Sequence, residues 1–178
     1  MIEFRQIREW QVPDRLYFIF NQEAKSMETR TFFDLIDWSR QLHAKLAECL
    51  DHCASLHENE RASSLLEYLA KHELAIEKMV SGFEDQADPK AAKTYVYDYI
   101  QHNPIKTHLE CDDRYVRLDF DQIFAEVMGF HEQIIELYRS LIRQADIPEA
   151  AELVQSLLDM EEKETKLLAT QVGRMQDM

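Results

Sequence analysis

Apolar residues recur at helical spacing over four long stretches of the chain, and this periodicity limits the possible fold more than any other feature. The stretch after Thr31 carries apolar residues at intervals of three and four, and so do the stretches that begin near residues 60, 120 and 149. Such spacing places apolar side chains on one face of a helix. With only 3 Gly and 4 Pro in 178 residues, the chain has few of the tight turns that all-β folds need. The sequence therefore predicts an all-α domain with four long helices.

Capping residues mark where these helices begin and end. Thr31 with Asp34, and Asp119 with Gln122, have the spacing of a capping box, in which two side chains satisfy free backbone groups of the first turn. Gly173 is a predicted C-cap, because glycine readily adopts the conformation that ends a helix. The four predicted long helices cover about residues 31–56, 60–84, 120–144 and 149–172.

The connections between the predicted helices are short, long and short. The segment HENE joins the first two helices and a turn at Ile147-Pro148 joins the last two, so each pair should form an antiparallel hairpin. About 35 residues separate the second helix from the third, and they include a short helix predicted for KAAKTYVYDYIQ after Asp88-Pro89. This is the one-crossover topology of a ferritin-like four-helix bundle. We predict a single domain, residues 1–178. It consists of an N-terminal extension (1–27), a first hairpin (31–84), a crossover (85–118) and a second hairpin (119–173).

The composition excludes several classes of function. A formal net charge of −14 argues against binding to nucleic acid or to an anionic membrane surface, because phosphates require Lys and Arg. No apolar run approaches the roughly 18–20 residues that span a bilayer, and MIEFRQIREW lacks the apolar core of a signal peptide. The three cysteines form no C-x-x-C pair, which favours a reducing, cytoplasmic compartment. Cys49 and Cys53 share a helix face, where we expect buried thiols.

The two predicted hairpins can be aligned with each other. LHAKLAECLDHC matches FHEQIIELYRSL, which pairs His43 with His131, and LAKHELAI then falls near LDMEEKET, which pairs Glu73 with Glu162. The separation from His to Glu is 30 residues in the first hairpin (43 to 73) and 31 in the second (131 to 162). Each hairpin therefore carries one His on its first helix and one Glu on its second.

This repeat resembles the ferritin-like superfamily, most closely its rubrerythrin-like members, over residues 31–172 in topology. In that family each hairpin has a Glu seven residues before a Tyr and a Glu-x-x-His on the next helix, and these side chains hold two irons in the bundle core. Here His131 stands seven residues before Tyr138, and Glu73 and Glu162 stand at the Glu of the second motif. The resemblance implies a ferritin-like fold with a metal site between the helices.

The motifs depart from the family pattern at four ligand positions. Ile76 and Thr165 stand where the family has histidines, and His43 and His131 stand where it has glutamates. The rubredoxin-like Cys pairs of full rubrerythrins are also absent from the sequence. The chain therefore lacks the standard set of di-iron ligands.

The residues that remain could still bind a metal. Four predicted ligands come one from each long helix: His43, Glu73, His131 and Glu162. Two imidazoles and two carboxylates suit Zn(II), Fe(II) or Mn(II). The helical stripe of the last helix turns Glu161 inward as readily as Glu162. Three neighbours are therefore second choices: His72, Glu161 and Glu164. In the alternative interpretation, each His forms a buried hydrogen bond with a carboxylate and no metal is bound.

Three functions follow from these interpretations. The first is a diverged rubrerythrin-like protein that binds Fe, Mn or Zn in the bundle core for redox chemistry or metal handling. The second is a metal-free helical scaffold or partner-binding bundle, with no cofactor. The third is a hemerythrin-like di-iron bundle, suggested by His-x-x-x-x-Glu, although the chain has no His-x-x-x-His. No small-molecule substrate is indicated.

Aromatic side chains outside the four predicted helices suggest association. Six of them lie in the N-terminal extension and the crossover: Trp10, Tyr17, Phe18, Phe20, Tyr95 and Tyr97. Large apolar patches rarely stay exposed on monomers, so these segments should cover the bundle or a second subunit. We expect a homodimer with one of these segments at its interface; the alternative is that they cover their own subunit.

Overall fold

The computed structural model describes residues 31–93, 111 and 113–176, without the side chains of 84–86, and this part of the chain is all-α. It contains five α-helices, one 3₁₀ helix at Arg114–Arg117 and no strand within these residues. The α-helices are α1 (Phe32–Leu56), α2 (Glu60–Gln86), α3 (Pro89–Ala92), α4 (Phe120–Gln144) and α5 (Pro148–Gln176). The four predicted long helices are thus present, and two of their eight ends, the C-termini of α2 and α5, differ by two residues or more.

Both predicted capping boxes are present. The Asp34 backbone N–H donates to Thr31 Oγ1 at 3.2 Å, and the Thr31 N–H donates to Asp34 Oδ2 at 2.9 Å. In the same way the Gln122 N–H donates to Asp119 Oδ1 at 2.9 Å, and the Asp119 N–H donates to Gln122 Oε1 at 3.0 Å. Each box satisfies backbone donors that the first turn leaves free, so the starts of α1 and α4 are encoded locally.

The long helices pack as two hairpins around a shared apolar core. Residues 57–59 join α1 to α2 and residues 145–147 join α4 to α5, and the helices of each pair are in contact with each other. Contacts of α2 with α4 and α5 bring the hairpins together. Burying one large aliphatic side chain contributes about 1.5–3 kcal/mol, so this face of each helix supplies most of its stability. Fully buried examples from the four helices are Leu35, Leu46, Leu65, Leu69, Ile134, Val154, Leu157 and Leu168.

The predicted C-cap at Gly173 is wrong, because α5 continues through this residue to Gln176. The backbone of Gly173 does not adopt a positive φ, as a glycine cap would require. Instead the Arg61 guanidinium, from the start of α2, donates to the carbonyl oxygens of Met175 at 3.2 Å and Gln176 at 2.9 Å. A cation at these otherwise free carbonyls stabilises the end of the helix.

The connection between the hairpins is described in part. Asp88 caps α3, where its Oδ1 accepts from the Lys90 N–H at 2.7 Å, and α3 begins at Pro89 as predicted. The rest of the predicted KAAKTYVYDYIQ helix, from residue 94 onward, and the N-terminal extension lie outside the described residues, as do the six aromatic side chains named above. Tyr115 of the 3₁₀ helix, which contacts α1, is fully buried. None of the described helices is both long and apolar enough to cross a membrane.

Candidate metal centre

Four ionisable side chains meet in the interior, one from each long helix. His43 lies on α1, Glu73 on α2, His131 on α4 and Glu161 on α5, and all four are 0% exposed. We call these four residues the His/Glu cluster. Ionisable groups are seldom fully buried unless they are paired with one another, so the cluster must satisfy its own charges and hydrogen bonds.

The Glu73 carboxylate holds both imidazoles. Its Oε2 is 2.8 Å from His43 Nδ1, and its Oε1 is 3.0 Å from His131 Nε2. One carboxylate on α2 therefore joins α1 to α4. Each imidazole uses one nitrogen for Glu73, and this leaves His43 Nε2 and His131 Nδ1 to face the fourth member of the cluster.

The second carboxylate, Glu161, is bound on one side only. Its Oε1 is 2.7 Å from His131 Nδ1, which is a short hydrogen bond. Its Oε2 is 3.6 Å from His43 Nε2, too far for a hydrogen bond. Both of these atoms are buried, and neither has a hydrogen-bond partner in the described part of the chain. The two hairpins thus present nearly equivalent His–Glu pairs, but one of the four possible contacts is open.

Aromatic packing fixes the orientation of the rings. The His43 and His131 rings lie 5.9 Å apart between centroids, with 27° between their planes. Phe130 places its ring edge-on to His43 at 5.8 Å and to His131 at 5.9 Å. Both histidines are fully buried, and both contact Glu73.

The structure brings together three of the four predicted ligands and replaces the fourth. Glu162 lies outside the cluster, where its carboxylate accepts from Arg139 at 2.7 Å and from Lys166 at 3.3 Å. Glu161, a second choice, points inward instead. One residue turns an α-helix by about 100°, so the two neighbouring glutamates cannot both face the core. With Glu161 in place, the separation from His to Glu is 30 residues in both hairpins.

The other second choices lie beside the cluster. The half-buried His72 ring stacks on Tyr68 at 6.4 Å, and Glu164 is 8% exposed. Neither of them belongs to the hydrogen-bonded group. Thr165, at the position of a family histidine, donates its hydroxyl hydrogen to the Glu161 carbonyl oxygen at 2.7 Å.

Mutual attraction keeps all four groups of the cluster charged. Burial alone lowers the pKa of His43, but the negative charges of Glu161 and Glu73 outweigh it and raise the pKa above its ordinary value. Burial likewise acts to lower the pKa of His131, and Glu73 and Glu161 raise it. Burial alone would raise the pKa of Glu73 and of Glu161, but the positive charges and hydrogen bonds of the imidazoles lower both pKa values below the ordinary value. Two imidazolium and two carboxylate groups leave the cluster with no net charge.

A buried hydroxyl pair lies close to the cluster and was missed by the sequence analysis. Ser39 Oγ and Tyr138 Oη form a hydrogen bond of 2.6 Å between α1 and α4. Burial, followed by the negative charge of Glu161, raises the pKa of Tyr138. The sequence signal was a serine four residues before His43 on an otherwise apolar helical face, where a polar side chain needs a buried partner.

The cysteines differ from the prediction of simple buried thiols. Cys49 forms a disulfide with Cys111, so the prediction is wrong for Cys49. Cys53 is fully buried and stands outside that disulfide. The reason is tertiary: Cys111, 62 residues along the chain from Cys49, lies against α1.

The donor set of the cluster fits a metal ion. One nitrogen each of His43 and His131 and one oxygen of Glu161 lie within 4.8 Å of one another. A tetrahedral ion with bonds of about 2.0–2.2 Å holds neighbouring donors about 3.3–3.6 Å apart, close to the 3.6 Å between His43 Nε2 and Glu161 Oε2. Comparison of the chain with protein-family models, with curated proteins and with solved structures found no significant match.

Proposed function

We propose that this protein is a diverged, rubrerythrin-like member of the ferritin-like superfamily that binds one divalent metal ion at the His/Glu cluster. In this proposal the four long helices form a one-crossover four-helix bundle, and the ion is Fe, Mn or Zn. The function is redox chemistry or metal handling. The observation that carries the proposal is the pair of buried atoms, His43 Nε2 and Glu161 Oε2, that face each other without a hydrogen bond.

Three side chains would hold the ion. His43 Nε2, His131 Nδ1 and the Glu161 carboxylate face one another, and they form a two-His, one-carboxylate set. Such a set leaves coordination positions open and is typical of non-haem Fe(II) sites. Buried polar atoms without partners are costly, and an ion between them would remove that cost.

Glu73 would position the ligands. It accepts from His43 Nδ1 and His131 Nε2, which are the nitrogens that point away from Glu161. A ligating histidine commonly donates its other N–H to a carboxylate, which fixes the tautomer and the orientation of the ring. One carboxylate would do this for both histidines. Glu73, a ligand in the sequence prediction, becomes a positioning residue in this proposal.

Bound Fe or Mn would supply redox chemistry toward oxygen or peroxide, and Zn would supply Lewis acidity. The chain's own contribution is a buried and preorganised set of donors. The Tyr138 hydroxyl is held by Ser39 beside Glu161, and its raised pKa keeps its proton in place.

A metal-free scaffold is the second candidate function. Three of the four possible contacts in the cluster are hydrogen bonds of 2.7–3.0 Å, and the charges already balance. A network of this kind can join two hairpins without an ion, because each buried charge has an opposite charge beside it. Metal analysis distinguishes the two candidates.

Metal content is the primary test of the proposal. Chelator-treated protein is incubated separately with Fe(II), Mn(II) and Zn(II), freed of excess metal and measured by elemental analysis. We expect one ion per chain in the wild type and a large loss in His131→Ala. Because the loss of a group that only orients ligands typically lowers affinity by about 10–100-fold, we expect Glu73→Gln to fall in that range and His131→Ala to exceed it.

Glu136→Ala is the matched control, since Glu136 lies on the same helix and pairs with Arg143 at the surface. It should retain full stoichiometry. His131→Gln, which nearly preserves the side-chain volume, guards against misfolding of the alanine variant. Equal metal loss in His131→Gln and Glu136→Ala, or no bound metal in the wild type with any of the three ions, would contradict the proposal and favour the scaffold.

We also propose that the protein forms a homodimer through the N-terminal extension or the crossover. The apolar side chains of these segments are the reason, because a strongly acidic chain needs an apolar surface to associate. Light scattering at physiological salt, where charge repulsion is screened beyond about 8 Å, should give twice the chain mass of 21.1 kDa. A mass of a single chain at all micromolar concentrations would leave these aromatics as cover for their own subunit.

A further inference from the structure

A second group of potential ligands consists of the three cysteines. Cys49 and Cys53 lie four residues apart on α1, so both side chains project from one face of the helix. Cys111 approaches this face from the connection between the hairpins. The sulfur atoms of the three residues all lie within 4.8 Å of one another.

The spacing of these sulfur atoms is close to that of a thiolate metal site. Cys53 Sγ is 3.8 Å from Cys111 Sγ. An ion with bonds of about 2.3 Å to sulfur in tetrahedral geometry holds neighbouring sulfurs about 3.8 Å apart. The pair Cys49 and Cys111 is closer, because these two residues form the disulfide.

The surroundings favour a soft ion and allow access to it. Cys49 is 3% exposed and Cys53 is 0% exposed, so two of the three sulfurs lie in an apolar environment. Cys111 is exposed, and beside it the exposed side chains of His52 and Asp113 are hydrogen-bonded to each other at 3.0 Å. A reductant or an ion can therefore reach the group from the side of Cys111.

We propose that the three cysteines form a redox-controlled thiolate site that, when reduced, binds one soft d¹⁰ cation such as Zn(II) or Cu(I). An external dithiol supplies two electrons and two protons to the Cys49–Cys111 bond. That bond breaks to give two thiols, and the dithiol is oxidised to its own disulfide. The cation then replaces the protons of the three thiols, since the thiolate is the form that ligates. A small-molecule disulfide closes the site again: it accepts two electrons from Cys49 and Cys111 and two protons from the solvent, and is reduced to its own thiols. The re-formed Cys49–Cys111 bond leaves one thiolate, so the cation is released.

This site does not depend on the His/Glu cluster. Its donors are sulfur rather than nitrogen and oxygen, and soft thiolates select Zn and Cu(I) over Mn. The two sites can therefore be emptied independently: His131→Ala should leave the thiolate site intact, and a cysteine variant should leave the His/Glu cluster intact.

Cadmium(II) is the probe, because its bonds to thiolate give a charge-transfer absorption that histidine and carboxylate ligands do not give. The full-length His131→Ala protein is reduced with a dithiol, freed of it under nitrogen and titrated with Cd(II). We expect the absorption to saturate at one equivalent per chain and to be absent from oxidised protein. Competition titrations with Zn(II) and with Cu(I) against chromophoric chelators then show which cation binds more tightly.

Two variants test the assignment of ligands. Cys111→Ser changes an exposed residue and should fold normally, and Cys53→Ala leaves the disulfide pair in place. Each should reduce the thiolate absorption per bound Cd(II) by about a third and lower the affinity, because one of three ligands is lost. Glu48→Gln, an exposed change beside Cys49, should have no effect. No thiolate absorption in reduced protein, or an unchanged titration of Cys53→Ala or of Cys111→Ser, would overturn the proposal.

Discussion

Glu161→Gln is expected to destabilise the metal-free protein by about 3–5 kcal/mol, whereas Glu162→Gln should cost about 0–1 kcal/mol. The two residues are neighbours of the same type on α5, and the substitution is the same. Glu161 is fully buried and accepts from His131 at 2.7 Å. Removing its charge leaves two imidazolium groups with one carboxylate, which is an uncompensated charge in the interior.

The two variants are compared by urea unfolding in the presence of a chelator. Glutamine nearly preserves the shape of glutamate, so the difference reports charge and hydrogen bonding rather than a cavity. Glu162 interacts with Arg139 and Lys166 at the surface, where solvent screens the pairs. A loss of 3–5 kcal/mol lies within the stability of an ordinary domain, so Glu161→Gln should still fold. An equal loss in the free energy of unfolding for the two variants would contradict the assignment of Glu161, rather than Glu162, to the buried face of α5.

Metal binding at the His/Glu cluster is expected to release two protons and to tighten by about 100-fold for each unit of rising pH in the neutral range. Both histidines have a raised pKa, so both are protonated near neutral pH before the ion binds. A ligating imidazole nitrogen must lose its proton. His43 Nε2 and His131 Nδ1 would each lose one, while the nitrogens that face Glu73 keep theirs.

The stability of the metal-free protein should depend on pH in the opposite direction. A raised histidine pKa stabilises the fold fully below the ordinary value of 6.5, and this contribution is lost as pH rises through the raised value. The lowered pKa values of Glu73 and Glu161 stabilise the fold above the ordinary value of 4.5, and this contribution is lost as pH falls through the lowered values. The cluster therefore contributes most between about pH 4.5 and 6.5, and less as the solution becomes alkaline.

Calorimetric titration with metal in two buffers of different ionisation enthalpy counts the released protons. Unfolding of the metal-free protein, measured across the pH range, gives the pH dependence of its stability. His131→Gln is the control, because it should bind metal weakly and release at most one proton. If metal binds to the wild type without proton release, then the histidines are neutral in the metal-free protein. If stability rises between pH 6.5 and alkaline solution, the same conclusion follows.

Much of the secondary structure could be predicted from local chemistry. The capping boxes at Thr31 and Asp119 and the period of the apolar residues are properties of short segments, so they can be read without knowing any tertiary contact. The end of α5 is different. Gly173 is a plausible local stop, but the Arg61 guanidinium reaches the last carbonyls from α2 and allows the helix to continue to Gln176. A contact over more than a hundred residues leaves no local signal.

The sequence by itself determined which helices carry the buried histidines and carboxylates, because the hairpin repeat aligns His43 with His131 and places one Glu opposite each. Only the tertiary structure decided that Glu161 rather than Glu162 faces inward, that Glu73 contacts both imidazoles, and that Cys49 is bonded to Cys111. The physical reason is the same in each case. Local patterns set the helical period, but the rotation of each helix about its axis, and the partners that reach it, depend on how all the elements pack together.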